Sequence, residues 1–165
     1  MKLLIRIATG LGAAMLLLLL LSCTTIPDPD VAPDAGNDQQ QEEMTMPEQI
    51  QITISGKMLP VSIENNAATK ALVEALRKAS ITYTASDYGG FEKVGALGRS
   101  LPTSNSQMTT RAGDVILYNG NQVVLFYGSN SWSYTRLGKI KYSSLDELKS
   151  FLKAGEGDIS VTLSL

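Results

Sequence analysis

Histidine is absent from the 165 residues, and cysteine occurs once, at Cys23. The first absence removes Ser-His and Cys-His nucleophilic pairs and the usual zinc site. The second excludes an internal disulfide, so stability has to come from packing. Tryptophan is also single, Trp132, and aromatic residues make up 6% of the chain. Charge is sparse and balanced, with 14 basic against 16 acidic side chains and a formal net charge of −2, which gives no basis for a nucleic-acid partner. Phosphate-binding loops are missing too. Gly89-Gly90 and Gly95 with Gly98 are followed by no basic residue in register and open no helix, so they read as bends and bulges in a sheet. Gly128-Ser129-Asn130-Ser131 lacks the spacing of a nucleophile elbow and reads as a polar turn. No cofactor and no metal are expected.

What is present begins at the N-terminus. Lys2 and Arg6 precede an apolar stretch from Ile7 to Leu21, too short to cross a bilayer, which ends in Leu20-Leu21-Ser22-Cys23. This segment resembles the bacterial lipobox, which implies removal of residues 1–22 as a signal peptide and lipidation of Cys23. By the same resemblance, Thr24 rather than aspartate after Cys23 favours the outer membrane of a Gram-negative cell. Residues 23–47 then form a tether. Between Thr24 and Pro47 there are six acidic residues, no basic ones and four prolines, a composition that buries too little apolar surface to order itself. Residues 48–165 carry ten acidic and twelve basic side chains and make one domain of ordinary size. The expected location is the bacterial cell envelope, outside the cytoplasm, with the membrane as a partner through the N-terminal lipid and the chain monomeric.

Within that domain the apolar periodicity alternates between two and 3.6 residues. Ile50, Ile52 and Ile54 mark a half-buried strand that turns at Gly56-Lys57 into a second through Val61 and Ile63. Asn65 or Asn66 caps a helix whose apolar face is Ala68, Leu72, Val73, Leu76 and Ala79. Ile81–Thr84 reads as a strand. The stretch from Ser86 to Ala112 is irregular, and at that length it is either functional or hides short strands. Asp114–Tyr118 and Gln122–Tyr127 flank Asn119-Gly120-Asn121, a hairpin signal. Trp132–Ile140 is a further strand. Ser144 to Glu147 has capping-box form, with Leu145, Leu148, Phe151 and Leu152 as the buried stripe and Gly155 as the stop. Ile159, Val161 and Leu163 make a last strand. Many strands with two isolated helices favour a mainly β, closed or strongly curved sheet capped by the helices.

Several segments then carry a resemblance. Asp87-Tyr88-Gly89-Gly90-Phe91-Glu92-Lys93, Leu101-Pro102, Ala112-Gly113-Asp114-Val115, Val124-Leu125-Phe126-Tyr127 and Ser133-Tyr134-Thr135-Arg136-Leu137-Gly138-Lys139-Ile140 are similar to the bacterial cyclophilin-like proteins. The similarity runs from about Ile50 to Leu165 and implies a closed cyclophilin-like β-barrel with two capping α-helices. The segments typical of true prolyl isomerases, phenylalanine-histidine-arginine and glutamine-glycine-glycine-aspartate, are not found here, so no catalytic residue carries over.

Prolyl isomerisation needs no nucleophile, only a dry pocket and a donor aimed at the twisted amide. An arginine beside aromatics could supply that, or equally a binding groove without catalysis. The candidate binding residues are Arg136, Tyr134, Trp132, Phe91 and Tyr127, set against the plainer reading of the aromatic ones as barrel core. Arg136, within an apolar strand, has to be paired or line a cavity, with Asp87, Glu92 or Asp114 as the possible structural partner. Those three carboxylates read as turn and cap groups rather than as an acid–base or calcium cluster. The preferred expectation is a membrane-anchored, noncatalytic module that binds a small molecule or an extended peptide. The alternative is a prolyl isomerase acting on secreted proteins.

Overall fold

The computed structural model describes residues 45–165. The signal segment, Cys23 and the tether up to residue 44 lie outside the described residues. Eleven elements follow one another: β1 (Gln49–Ile54), β2 (Lys57–Ile63), α1 (Ala67–Lys78), β3 (Ile81–Tyr88), β4 (Glu92–Ala96), β5 (Ser106–Thr109), β6 (Asp114–Tyr118), β7 (Gln122–Phe126), β8 (Ser131–Ile140), α2 (Leu145–Phe151) and β9 (Ile159–Ser164). Eight strands run in the order β2-β1-β9-β3-β4-β7-β6-β8, all antiparallel, and β8 pairs back onto β2 through Val61–Ile140 to close the barrel. The ninth, β5, adds to the first half of β8 beside the seam. Closure leaves the barrel strands no free edge, which removes the usual template for aggregation.

Local chemistry explains most of the boundaries. Ser55 and Gly56 both have positive φ, 50° and 77°, the two-residue turn that the right-handed twist of a hairpin prefers. Asn66 is the cap of α1: its Oδ1 accepts from Thr69 N at 3.0 Å, Thr69 Oγ1 accepts from Asn66 N at 3.1 Å, and its Nδ2 donates to the Arg136 carbonyl at 2.8 Å. The cap therefore also ties the helix to β8. At α2, Ser144 Oγ accepts from Glu147 N, while the Glu147 carboxylate reaches Ser143 N rather than that of Ser144. Leu145 is 45% exposed, so the buried stripe of this short helix is Leu148 and Phe151 followed by Leu152. Ala79 is exposed as the cap residue of α1. The second helix also stops earlier than glycine placement suggests, because Lys153 takes positive φ, 48°, before Gly155 is reached.

The irregular stretch contains the two strands that periodicity could not separate, β4 and β5. Gly89 and Gly90, with φ of 62° and 75°, turn β3 back into β4. Leu97 and Leu101 are buried and pin the remaining loop, their amides donating to the carbonyls of Asn121 and Gly120.

Alternation sorts the side chains into two sets. Ile50, Ile52, Ile54, Tyr83, Ala85, Val115, Leu117, Val123, Leu125 and Val161 point inward, and Leu72, Val73, Leu76, Leu148 and Phe151 of the helices join the same core. On the opposite face of β4, β7, β6 and β8, Ile116, Val124, Phe126 and Tyr134 form a second cluster with Phe91, Val94, Met108 and Tyr118 packed against it. Leu137 and Ile140, three residues apart, both reach the inner core because β8 carries a bulge where its pairing with β6 shifts between Val115 and Ile116. Gly138 follows that bulge at the closing seam. A Cβ there would collide with the Ser62 carbonyl, so the close approach of β8 to β2 requires glycine.

A candidate groove on the outer face of the barrel

The second cluster does not fill its face. Beside it lies a groove of about 430 Å³ lined by Tyr88, Glu92, Val94, Tyr118, Gln122, Val124, Asn130, Trp132 and Tyr134, a volume within the range of small-molecule sites. Cross-strand register builds it. Glu92 and Val94 on β4 stand opposite Phe126 and Val124 on β7, Val124 stands opposite Ile116 on β6, and β8 brings Tyr134 alongside. The rings interlock: Phe126 meets Tyr134 edge-on at 5.9 Å, Tyr118 meets Tyr134 edge-on at 6.0 Å, and Phe91 stacks on Phe126 at 6.3 Å. Asn130 Nδ2 donates to the Tyr134 hydroxyl at 3.0 Å and fixes its tip. Trp132 stands at the rim, 57% exposed.

Glu92 is the unusual member. It is 5% exposed, and its Oε2 is buried without a hydrogen-bond partner. Burial pushes its carboxyl up to about 7, because the charged form loses water and gains no donor in return. The same charge, after burial itself, raises the Tyr134 phenol. A carboxyl held near neutrality beside packed aromatic rings can accept a charge-assisted hydrogen bond or exchange a proton.

The five candidate residues are divided by this geometry. Tyr134 and Trp132 line the groove. Phe91 supports it from behind, through the stack on Phe126. Tyr127 faces the inner core, where its hydroxyl donates to Asp87 Oδ1 at 3.0 Å; burial first, then Asp87, pushes its phenol up to about 12. Arg136 lies outside the groove. Its Nη1 meets Asp114 Oδ1 at 3.3 Å, and Nη2 lies 3.7 Å from Met108 Sδ. Asp114 is buried and caps its own turn, Oδ2 accepting from Arg111 N at 2.9 Å, which makes the arginine a structural partner. The three carboxylates do not converge: Asp87 pairs with Lys93, Asp114 pairs with Arg136, and Glu92 stands in the groove. Among the described residues no group of three His, Cys, Asp or Glu is placed to hold a metal ion.

Sequence reasoning gave Glu92 no separate role, because the strand that aims it was hidden in the irregular stretch. The usable signal was the pair of glycines at Gly89-Gly90: once a hairpin is placed there, alternation puts Glu92 with Val94 on one face and Lys93 with Gly95 on the other.

A closed eight-stranded antiparallel barrel capped by two helices, with an aromatic groove on its outer wall, defines a cyclophilin-type domain. The family comparison agrees. The model of the Cyclophilin-like family matches residues 52–164, and the chain belongs to that family. The solution structure of the hypothetical protein AF2241 from Archaeoglobus fulgidus is similar at 17% identity and a TM-score of 0.49, covering 71% of this chain and 93% of that one. Curated proteins gave no match.

Proposed function

We propose that the outer-face groove is a capture site, and that the protein is a noncatalytic binding module for a small molecule or an extended peptide segment. The observation that supports this best is the buried, unpartnered Glu92 carboxyl set among the groove's aromatic and aliphatic walls. Buried polar atoms without partners are rare in folded proteins, and a ligand is one thing that can complete them. The isomerase alternative relied on Arg136 as the donor over the amide, and that guanidinium is held by Asp114.

Trp132 is the sole tryptophan and lies at the groove rim, so its emission reports occupancy directly. Titrating the full chain with charged and neutral proline-containing peptides should shift that emission without accelerating cis–trans exchange of the same peptides. Arg136→Met serves as the control. It should lower stability by about 1–3 kcal/mol, by leaving Asp114 short of a partner, and leave the Trp132 response intact. Acceleration of proline exchange that Arg136→Met abolishes would turn the reading to the isomerase. An emission indifferent to every peptide would count against the groove.

The proposal extends to display. A lipid on Cys23 and an acidic tether, repelled by anionic headgroups, would hold the domain off a membrane of the cell envelope. Cys23→Ser should leave an unprocessed precursor or release the protein to the soluble fraction. If that variant still fractionates wholly with membranes and resists carbonate extraction, the anchor is not a lipid on Cys23.

A further inference from the structure

We propose that the ligand of the outer-face groove presents a primary ammonium group, which enters between the aromatic rings and pairs with the Glu92 carboxylate. This rests on the groove reading above and narrows it to one ligand chemistry. Three observations support it. First, Glu92 is the only charged residue among those lining the groove. The nearest cations by sequence and register are engaged elsewhere: Lys93, next along β4, points to the opposite face and pairs with Asp87, and Arg136 is held by Asp114. Second, Oε2 is buried and lacks a donor, and an ammonium supplies up to three. Third, the walls are aromatic. Tyr88, Tyr118, Trp132 and Tyr134 line the groove, and aromatic rings attract cations most strongly where water is excluded.

A neutral apolar ligand would leave the carboxyl stranded, and an anion would be repelled by it. A cation answers all three features together. The chemistry is shared by a lysine side chain on an extended segment and by a free alkyl amine, and the groove volume of about 430 Å³ accommodates either. The other titratable groups lining the groove are the phenols of Tyr88, Tyr118 and Tyr134, so Glu92 alone is positioned to make binding fade toward acid.

The test follows Trp132 emission in the full chain with three probes: Nα-acetyl-lysine methylamide, its Nε-acetylated and therefore neutral counterpart, and 1,5-diaminopentane. At pH 8 at least one of the two amines should bind, and the neutral probe should not. Affinity for that amine should fall about tenfold for each pH unit below 7, reaching about 100-fold at pH 5, as Glu92 takes up its proton. Glu92→Gln should weaken amine binding at pH 8 by at least about tenfold and remove this pH dependence. Binding of the lysine derivative alone would assign the groove to a peptide side chain, and binding of the diamine alone to a small amine; both support the proposal. Equal binding of the neutral probe, or undiminished amine binding in Glu92→Gln, would overturn the ammonium assignment while leaving the groove reading in place. No response of Trp132 to any probe would overturn both.

Discussion

Asp87→Ala should be the most damaging single substitution on the inner side of the barrel, lowering stability by about 3–5 kcal/mol. For a domain of this size that corresponds to a fall in Tm of about 10–20 °C. The reason is Lys93, whose ammonium is fully buried and lies 2.8 Å from Asp87 Oδ2. The same carboxylate accepts from Tyr127 Oη and from the amides of Gly155 and Gly157, so it also ties the loop after α2 to the barrel. Removing it leaves a buried positive charge with the Gly157 carbonyl as its remaining partner. Replacing both members, Asp87→Ala with Lys93→Met, should recover most of the loss, since the cost lies in the stranded charge rather than in the missing attraction. Burial opposes ionisation of Asp87, yet Lys93 and the three donors outweigh it and hold the carboxyl down at about 2. Its contribution is therefore present above about pH 4 and is lost as pH falls from there toward 2, so the acid limb of the wild-type stability curve should flatten in Asp87→Ala. A single variant as stable as the wild type would show that Lys93 finds other solvation.

Glu92 should behave in the opposite sense. Its folded carboxyl is raised to about 7, so between about pH 4.5 and 7 the native state holds a proton that the unfolded chain has released. The contribution of Glu92 to stability should then be greatest below about pH 4.5, decline as pH rises through 7, and level off above it. Glu92→Gln removes that decline. The variant should match the wild type at pH 5 and exceed it at pH 8 by about 1–2 kcal/mol, a value kept below the full linkage because the groove opens to solvent. That is a rise of about 3–8 °C in Tm, read by thermal unfolding at the two pH values. A variant less stable than the wild type at pH 8 would mean that the ionised carboxylate is already satisfied. A protein that is more stable without a buried acid, and whose acid faces a groove, fits a residue kept for binding rather than for folding.

Much of the fold was legible in the chain because local signals and global structure agree. The isoleucine alternation of β1, the Asn66 cap, the Asn119-Gly120 turn and the Ser144 cap of α2 each specify their element without help from the rest. The same alternation correctly divided Val124 and Phe126 from Leu125 and Tyr127. The site was less legible, for two physical reasons. A short strand such as Glu92–Ala96 has no periodicity long enough to read, and its inward face carries Lys93 and Gly95, which look like loop residues until a partner is given to the charge. Arg136 was legible only as two alternatives, a donor over a groove or a structural pair with Asp87, Glu92 or Asp114. The pair with Asp114 is the one formed, and the choice among the three carboxylates depends on the register of β6 against β8. The groove thus combines two residues picked out in the sequence, Trp132 and Tyr134, with one whose orientation depends on pairing.

The central claim, that Glu92 waits in the groove for a cationic ligand, is tested most directly by carboxyl carbon-13 NMR of the full chain, with Glu92 assigned through Glu92→Gln. The account expects a titration midpoint near 7 in the free protein that moves down by about two units or more when the amine probe is added, since a bound ammonium favours the charged form. A carboxyl that titrates at the ordinary value near 4.5 and stays there in the presence of the amines would contradict it.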